Sequence, residues 1–166
     1  SVTSYKGAYD AQSHGITVNN TLLGDQVEYR LSDKAEWTSK NPQYTNVTEK
    51  VTVQVRVTNP NYTPNPEKLT GTVEITPAEV TVTAENKTKV FGENDPELTA
   101  KTVGIFGEDT VAYTLNRKKG ENVGTYTITP AGEELQGNYK VTYKTGTLTI
   151  NPATRPEGQQ LSVTSY

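Results

Sequence analysis

N-Y-K-V-T-Y-K-T-G-T-L-T-I-N-P, residues 138–152, closes on a run that alternates between polar and apolar side chains and then stops at a proline. Leu148 and Ile150 fall on one side of an extended segment, and Thr147, Thr149 and Asn151 on the other. That two-residue period belongs to a strand with one buried face. Pro152 has no N–H to donate and ends the ladder. The same ending stands earlier in the chain, at N-Y-T-P-N-P-E-K-L-T-G-T-V-E-I-T-P, residues 61–77, with Val73 and Ile75 on the apolar side. Asn-Tyr, then Gly-Thr, then alternation, then Pro, occurs twice. The chain is therefore read as two diverged β domains, 1–77 and 78–153, with 154–166 as a linker plus the first strand of a next repeat.

That last segment follows from a second recurrence. Ser1–Tyr5 and Ser162–Tyr166 both read S-V-T-S-Y. A head-to-tail array, cut into one unit with the opening strand of its successor attached, is expected to look like this. Between the copies, P-A-T-R-P-E-G-Q-Q (152–160) is polar, with two prolines and a glycine, and reads as an extended, semi-rigid spacer. By contrast Pro77-Ala78-Glu79 leads directly into Val80-Thr81-Val82-Thr83, a short junction.

Composition agrees with strands. Thr occurs 28 times and Tyr 10 times in 166 residues, while Met and Cys are absent. β-Branched and aromatic side chains suit a pleated, half-buried surface. Only 32% of residues are hydrophobic, so each core must be thin. In the second domain strands are expected at Val80–Ala84, Lys89–Phe91, Leu98–Val103, Val111–Leu115, Gly124–Thr129, Tyr139–Tyr143 and Thr147–Ile150. Turns fall at G-E-N-D-P (92–96) and R-K-K-G-E-N-V-G (117–124). Seven short strands so spaced predict an all-β fold: two small tandem Ig-like β-sandwiches in an elongated arrangement. In the first domain Val51–Val57 is a strong strand, but Leu22–Trp37 is ambiguous. A helix there would give a β-grasp-like α+β fold instead, for one or both domains.

Three blocks in order, V-T-V-T-A-E-N-K-T-K-V-F-G-E-N-D-P-E-L, G-E-N-V-G-T-Y-T-I-T and N-Y-K-V-T-Y-K-T-G-T-L-T-I, resemble the MBG-type tandem repeats of bacterial, Gram-positive cell-surface adhesins, over about residues 80–151. The family usually has Tyr where Phe91 precedes Gly92. Tyr9–Ile16 resembles a related repeat in which Gly is more usual at Ala11. The resemblance implies an extracellular module of the bacterial surface, secreted or attached to the cell wall. The function expected is a structural stalk that projects a ligand-binding region. The second reading is an adhesive module that binds mucin or a host glycoprotein through many weak sites. Neighbouring repeats of the same chain are partners in either case.

Other chemistries find little support. The net charge of −3 is spread evenly, so no basic face invites nucleic acid. No apolar run is long enough for membrane insertion. No cofactor or metal is expected: without Cys, and with His14 as the sole histidine, thiolate zinc sites and hydrolase triads lack their parts. Lys144-Thr145-Gly146 matches a strand motif of serine β-lactamases, but no Ser stands three residues before a Lys to serve as their nucleophile. An enzyme is not expected. Glu93, Asp95 and Glu97, and Glu108 with Asp109, read as solvated turn residues. Two sets of residues keep a specific role. Tyr5, Tyr9, Trp37 and Tyr44 are candidate glycan contacts, because aromatic rings offer area with a polar tip. Lys87 or Lys89 with Asn151 are candidates for an intramolecular isopeptide staple in a chain that has no disulfide.

Overall fold

Alternating Val and Thr, interrupted by Gly, Asn and Asp, leave the backbone few options but strands and turns. The computed structural model describes residues 1–64, 68–159 and 161–164. Asn65–Glu67 of the first closing stretch, Gln160, and the Ser165-Tyr166 end of the second S-V-T-S-Y lie outside the described residues. All regular structure among the described residues is β. The chain forms two compact units. One is Ser1–Glu79 together with Gly104–Val111 and Leu135–Lys140; the other is Val80–Val103, Ala112–Glu134 and Val141–Tyr166.

In the first unit, β1 (Val2–Thr3) pairs with β3 (Thr17–Val18). A four-stranded sheet runs in the order β2 (Tyr5–Ala8), β6 (Leu69–Thr76), β5 (Thr48–Thr58), β4 (Gln26–Arg30). β6 is antiparallel to β5 but parallel to β2, with Tyr5 opposite Val73 and Ala8 opposite Thr76. The expected apolar face of β6 is the buried one. Val73 and Ile75 are inside, and Val73 joins Ile16, Val53 and Val55 in a cluster flanked by Val2, Tyr5, Val27, Tyr29 and Tyr44. Each such side chain contributes about 1.5–3 kcal/mol by leaving water. Leu22–Trp37 holds no helix, which removes the β-grasp alternative. Val27 and Tyr29 alternate with Gln26, Glu28 and Arg30, and this period of two places a strand, β4, where a helix had been an option.

The remaining strands are β7 (Ala78–Ala84), β8 (Lys87–Val90), β9 (Ala100–Val103), β10 (Thr114–Arg117), β11 (Gly124–Ala131), β12 (Leu135–Gln136), β13 (Tyr139–Lys144) and β14 (Gly146–Asn151). One sheet has the order β10-β11-β14-β8 and the other β12-β13-β7-β9, β12 and the first residues of β7 and β13 being counted with the first unit. Ala84 of one sheet and Ile128, Leu148 and Ile150 of the other share one buried cluster, the mark of a β-sandwich. The strands expected from periodicity all have a counterpart. Two start later than expected: β9 at Ala100 and β10 at Thr114. The two-residue β12 had no periodic signal to reveal it.

The two closing strands, β6 and β14, are built alike. β14 is antiparallel to β11 and parallel to β8, as β6 is to β5 and β2. The Gly-Thr of each motif has a structural cause. A Cβ on Gly71 would lie 2.6 Å from Val2 Cγ1 and 2.8 Å from Ile16 Cγ2, and one on Gly146 would lie 2.5 Å from the Ala84 carbonyl oxygen. The Thr72 N–H donates to Ser4 Oγ (2.9 Å) and the Thr147 N–H to Asn86 Oδ1 (2.8 Å), each acceptor standing just ahead of the parallel partner strand. The parallel ladders end alike too. The Tyr9 N–H donates to the Thr76 carbonyl (2.8 Å) and the Phe91 N–H to the Asn151 carbonyl (2.9 Å).

Candidate functional site

Tyr9 follows β2 and its side chain turns inward, only 7% exposed. Its ring meets Phe106 and Tyr139 edge-on, at centroid distances of 5.8 and 5.5 Å. Asp109 accepts hydrogen bonds from both hydroxyls, from Tyr9 at 3.1 Å and from Tyr139 at 2.5 Å, and the Phe106 N–H donates to the Tyr139 hydroxyl at 3.0 Å. Burial, then the Asp109 hydrogen bond, raise both tyrosines above the ordinary phenol range, Tyr139 to about 12. Beside them Asn138 accepts from the Val47 N–H (2.9 Å) through its side chain and from the Ala78 N–H (2.9 Å) through its carbonyl. Its side-chain amide donates to Asn46 Oδ1 (3.2 Å). Asp109, read from the sequence as solvated, is thus the anchor of an aromatic cluster.

A second cluster lies in the other unit. The Lys89 side chain is 4% exposed, and its Nζ donates to Asp95 Oδ1 (2.7 Å), the Glu93 carbonyl (3.1 Å) and Glu121 (3.3 Å). Arg117 grips Asp95 with two nitrogens (2.7 and 2.9 Å), reaches Glu121 (2.7 Å) and the Gly120 carbonyl (2.6 Å), and lies over the Tyr126 ring. A forked guanidinium–carboxylate contact fixes direction as well as charge. Arg117, then Lys89, hold Asp95 down at about 2; hydrogen bonding to Asp95 raises Lys89. Asp95 is therefore no solvated turn residue. The cluster ties the 92–96 and 117–124 turns to β8. Charged residues in two turns far apart in sequence carry no local signal of such pairing.

These geometries bear on the isopeptide candidates. Amide formation requires a neutral amine, whereas Lys89 is held as a cation by two carboxylates. Lys87 lies opposite Leu148 while Asn151 lies opposite Val90, three residues along the ladder or about 10 Å away. The ladder does not bring Lys87 to Asn151.

The glycan candidates do not form one surface. Tyr5 is half-buried against the core and stacks on His14 at 4.0 Å; His14 Nε2 meets the Asp10 carboxylate at 2.9 Å. Tyr44 is half-buried and exchanges backbone hydrogen bonds with His14. Tyr9 is covered, as described. Trp37 alone faces a recess, a cleft of about 370 Å³ that it shares with Arg30, Arg56 and Lys68. The two guanidinium carbons stand 4.2 and 4.7 Å from its ring centre. A larger cleft of about 640 Å³ opens at another place in the first unit, between Leu22, Asp25, Val57, Tyr62 and Leu69.

Residues 80–149 match the MBG domain (YGX type) family. The match covers the segment in which the sequence resembles MBG-type repeats. Phe91-Gly92 stands within it, at the end of β8. No curated protein is significantly similar to the chain. Among solved structures, human mucin-like protocadherin EC1-2 is matched at 15% identity over 92% of this chain and 98% of that one, with a TM-score of 0.27.

Proposed function

We propose that the chain is one repeat of the stalk of a bacterial surface adhesin, an extracellular, non-catalytic spacer under tension. The MBG match supports a repeat module. The observation that carries the mechanical role is the parallel pairing of an early strand with the closing strand, β2 with β6 and β8 with β14, β2 and β8 following β1 and β7 directly. Tension enters a unit ahead of its opening strand and leaves after its closing strand. Two parallel neighbours pulled in this way slide against each other, so their hydrogen bonds are strained together. Strands pulled open like a hairpin instead lose their bonds one at a time. Resistance of this kind is governed by the unfolding rate under force. In single-molecule pulling, an array of repeats should unfold in discrete steps at forces well above those that stretch an unfolded chain. Extension without such steps would rule out a stalk.

The second reading, adhesion to mucin or a host glycoprotein by multivalency, is favoured by the Trp37 cleft, where an aromatic ring and two guanidinium groups line one recess. Binding of one repeat and of a four-repeat array to immobilised mucin, at matched repeat concentration, separates the two readings. Capture by the array alone, abolished by Trp37→Ala, supports the adhesive module. No capture by either ends the mucin version and leaves the spacer.

A further inference from the structure

Phe91 occupies in its ladder the place that Tyr9 occupies in the other, yet it is 50% exposed where Tyr9 is 7%. Its neighbours repeat the pattern. Asn122-Val123 precedes β11 as Asn46-Val47 precedes β5, and Pro152-Ala153 follows β14 as Pro77-Ala78 follows β6. In the first unit this set is covered. Tyr9 packs on Phe106 and Tyr139, while Asn46, Val47 and Ala78 all bond Asn138. Around Phe91 the same face is bare, with Val90 and Val123 exposed beside it.

The covering residues have their own counterparts. I-F-G-E-D-T-V-A-Y (105–113) aligns, with a one-residue gap, with L-L-G-D-Q-V-E-Y (22–29), and Asn138-Tyr139 with Asn61-Tyr62. Both loops close a four-residue turn on an Asp N–H, Asp109 donating to the Phe106 carbonyl and Asp25 to the Leu22 carbonyl. A positive-φ glycine is the first central residue in one turn (Gly107) and the second in the other (Gly24). Yet Leu23 is 98% and Tyr62 59% exposed, and Tyr62 lines the 640 Å³ cleft with Leu22 and Asp25. One chain thus carries an uncovered aromatic face and an unused copy of the loops that cover its counterpart.

We propose that these two surfaces bind each other between copies of the chain: Phe91, Asn122-Val123 and Ala153 of one copy seat against Leu22–Asp25 and Asn61-Tyr62 of the next. This rests on the tandem reading given above. The chemistry of the two aromatic positions fits. Tyr9 brings a hydroxyl to Asp109, whose carboxylate accepts it. Asp25 is already occupied by the Leu22 N–H (2.6 Å) and the Asn59 amide (2.9 Å), and Phe91 brings no hydroxyl. The chain from Asn151 to Val163 is half as long again as that from Thr76 to Ala84, which stands two residues ahead of Asn86 as Val2 stands two ahead of Ser4. The added loop costs only about 0.6 kcal/mol per doubling of length, and the tether raises the local concentration to about the millimolar range.

The test is a two-copy protein with the natural linker. The chain has no cysteine, so an introduced pair reports cleanly. Asn122→Cys in the first copy and Asn61→Cys in the second stand where Asn46 and Asn138 touch in the first unit. Under mild oxidation this pair should cross-link at least about tenfold faster than Asn122→Cys with Lys34→Cys. Phe91→Asp in the first copy or Leu23→Asp in the second, both exposed positions, should remove the advantage. A rate equal to the Lys34 control, or one indifferent to Phe91→Asp, overturns the proposal. Small-angle scattering of arrays of increasing copy number tests the stalk separately. Length that grows with copy number while cross-linking fails ends the docking alone; length that does not grow ends the stalk reading.

Discussion

Tyr9 and Phe91 end two ladders of the same design and meet opposite surroundings, and so do Gly71 and Gly146. Each glycine opens the same Gly-Thr motif. At Gly71 the obstacle to a side chain is a pair of methyl groups, whereas at Gly146 it is the Ala84 backbone. Position in a ladder fixes the backbone; what packs over it fixes how much a side chain matters. The two halves share the first and differ in the second.

The sharpest way to break that comparison is to add one methyl group at each glycine. Gly146→Ala should cost about 3 kcal/mol, because a carbonyl in a strand cannot move aside, and Gly71→Ala about 1 kcal/mol, because Val2 and Ile16 can repack. Urea unfolding of the two variants measures both, and equal costs would refute the distinction. Next is the aromatic pair. Tyr139→Phe should lose about 1.5–3 kcal/mol with its hydrogen bond to a carboxylate. Phe91→Tyr in a single repeat should stay within about 0.5 kcal/mol, as an exposed position does.

Protons probe the same contrast without substitution. When folded, Asp95 takes its proton only near pH 2; when unfolded it does so in the ordinary carboxylate range. The stabilisation from the Lys89–Arg117 cluster is therefore complete above that range and lost as pH falls toward 2. At the alkaline end Tyr139 ionises near 12 when folded and near 10 when unfolded. Stability then falls as pH rises from about 10 to 12. Melting followed across both limits checks the two signs, and Asp95→Asn should flatten only the acid limb. The one stabilising change is at Ala11, which sits at φ 62°. Ala11→Gly should raise stability by about 1 kcal/mol, since only glycine adopts that conformation without strain; thermal melting would show it.

Much of the fold is legible in the sequence because strand period and Gly-Thr-to-Pro punctuation are local. Val73, Ile75, Leu148 and Ile150 are buried as their alternation requires. What is not legible is long-range. Nothing near Tyr9 announces Asp109, 100 residues on, and nothing near Lys89 announces Glu121. A charged residue in a turn looks solvated until the chain's path is known, and Asp95 and Asp109 both looked so. Leu22–Trp37 was ambiguous because a five-residue strand between turns offers too few periods to exclude a helix.

The side-by-side placement of β2 with β6 and of β8 with β14 separates two kinds of durability. Heat tests every contact in a unit without regard to direction, whereas a pull along the chain tests first the ladder that lies across its path. Substitutions at Trp37 or Arg117 can thus lower a melting temperature and leave tensile strength untouched. A proline placed in β2 or β8 removes a donor from the parallel ladder and should lower the unfolding force in a pulling measurement as well as the melting temperature.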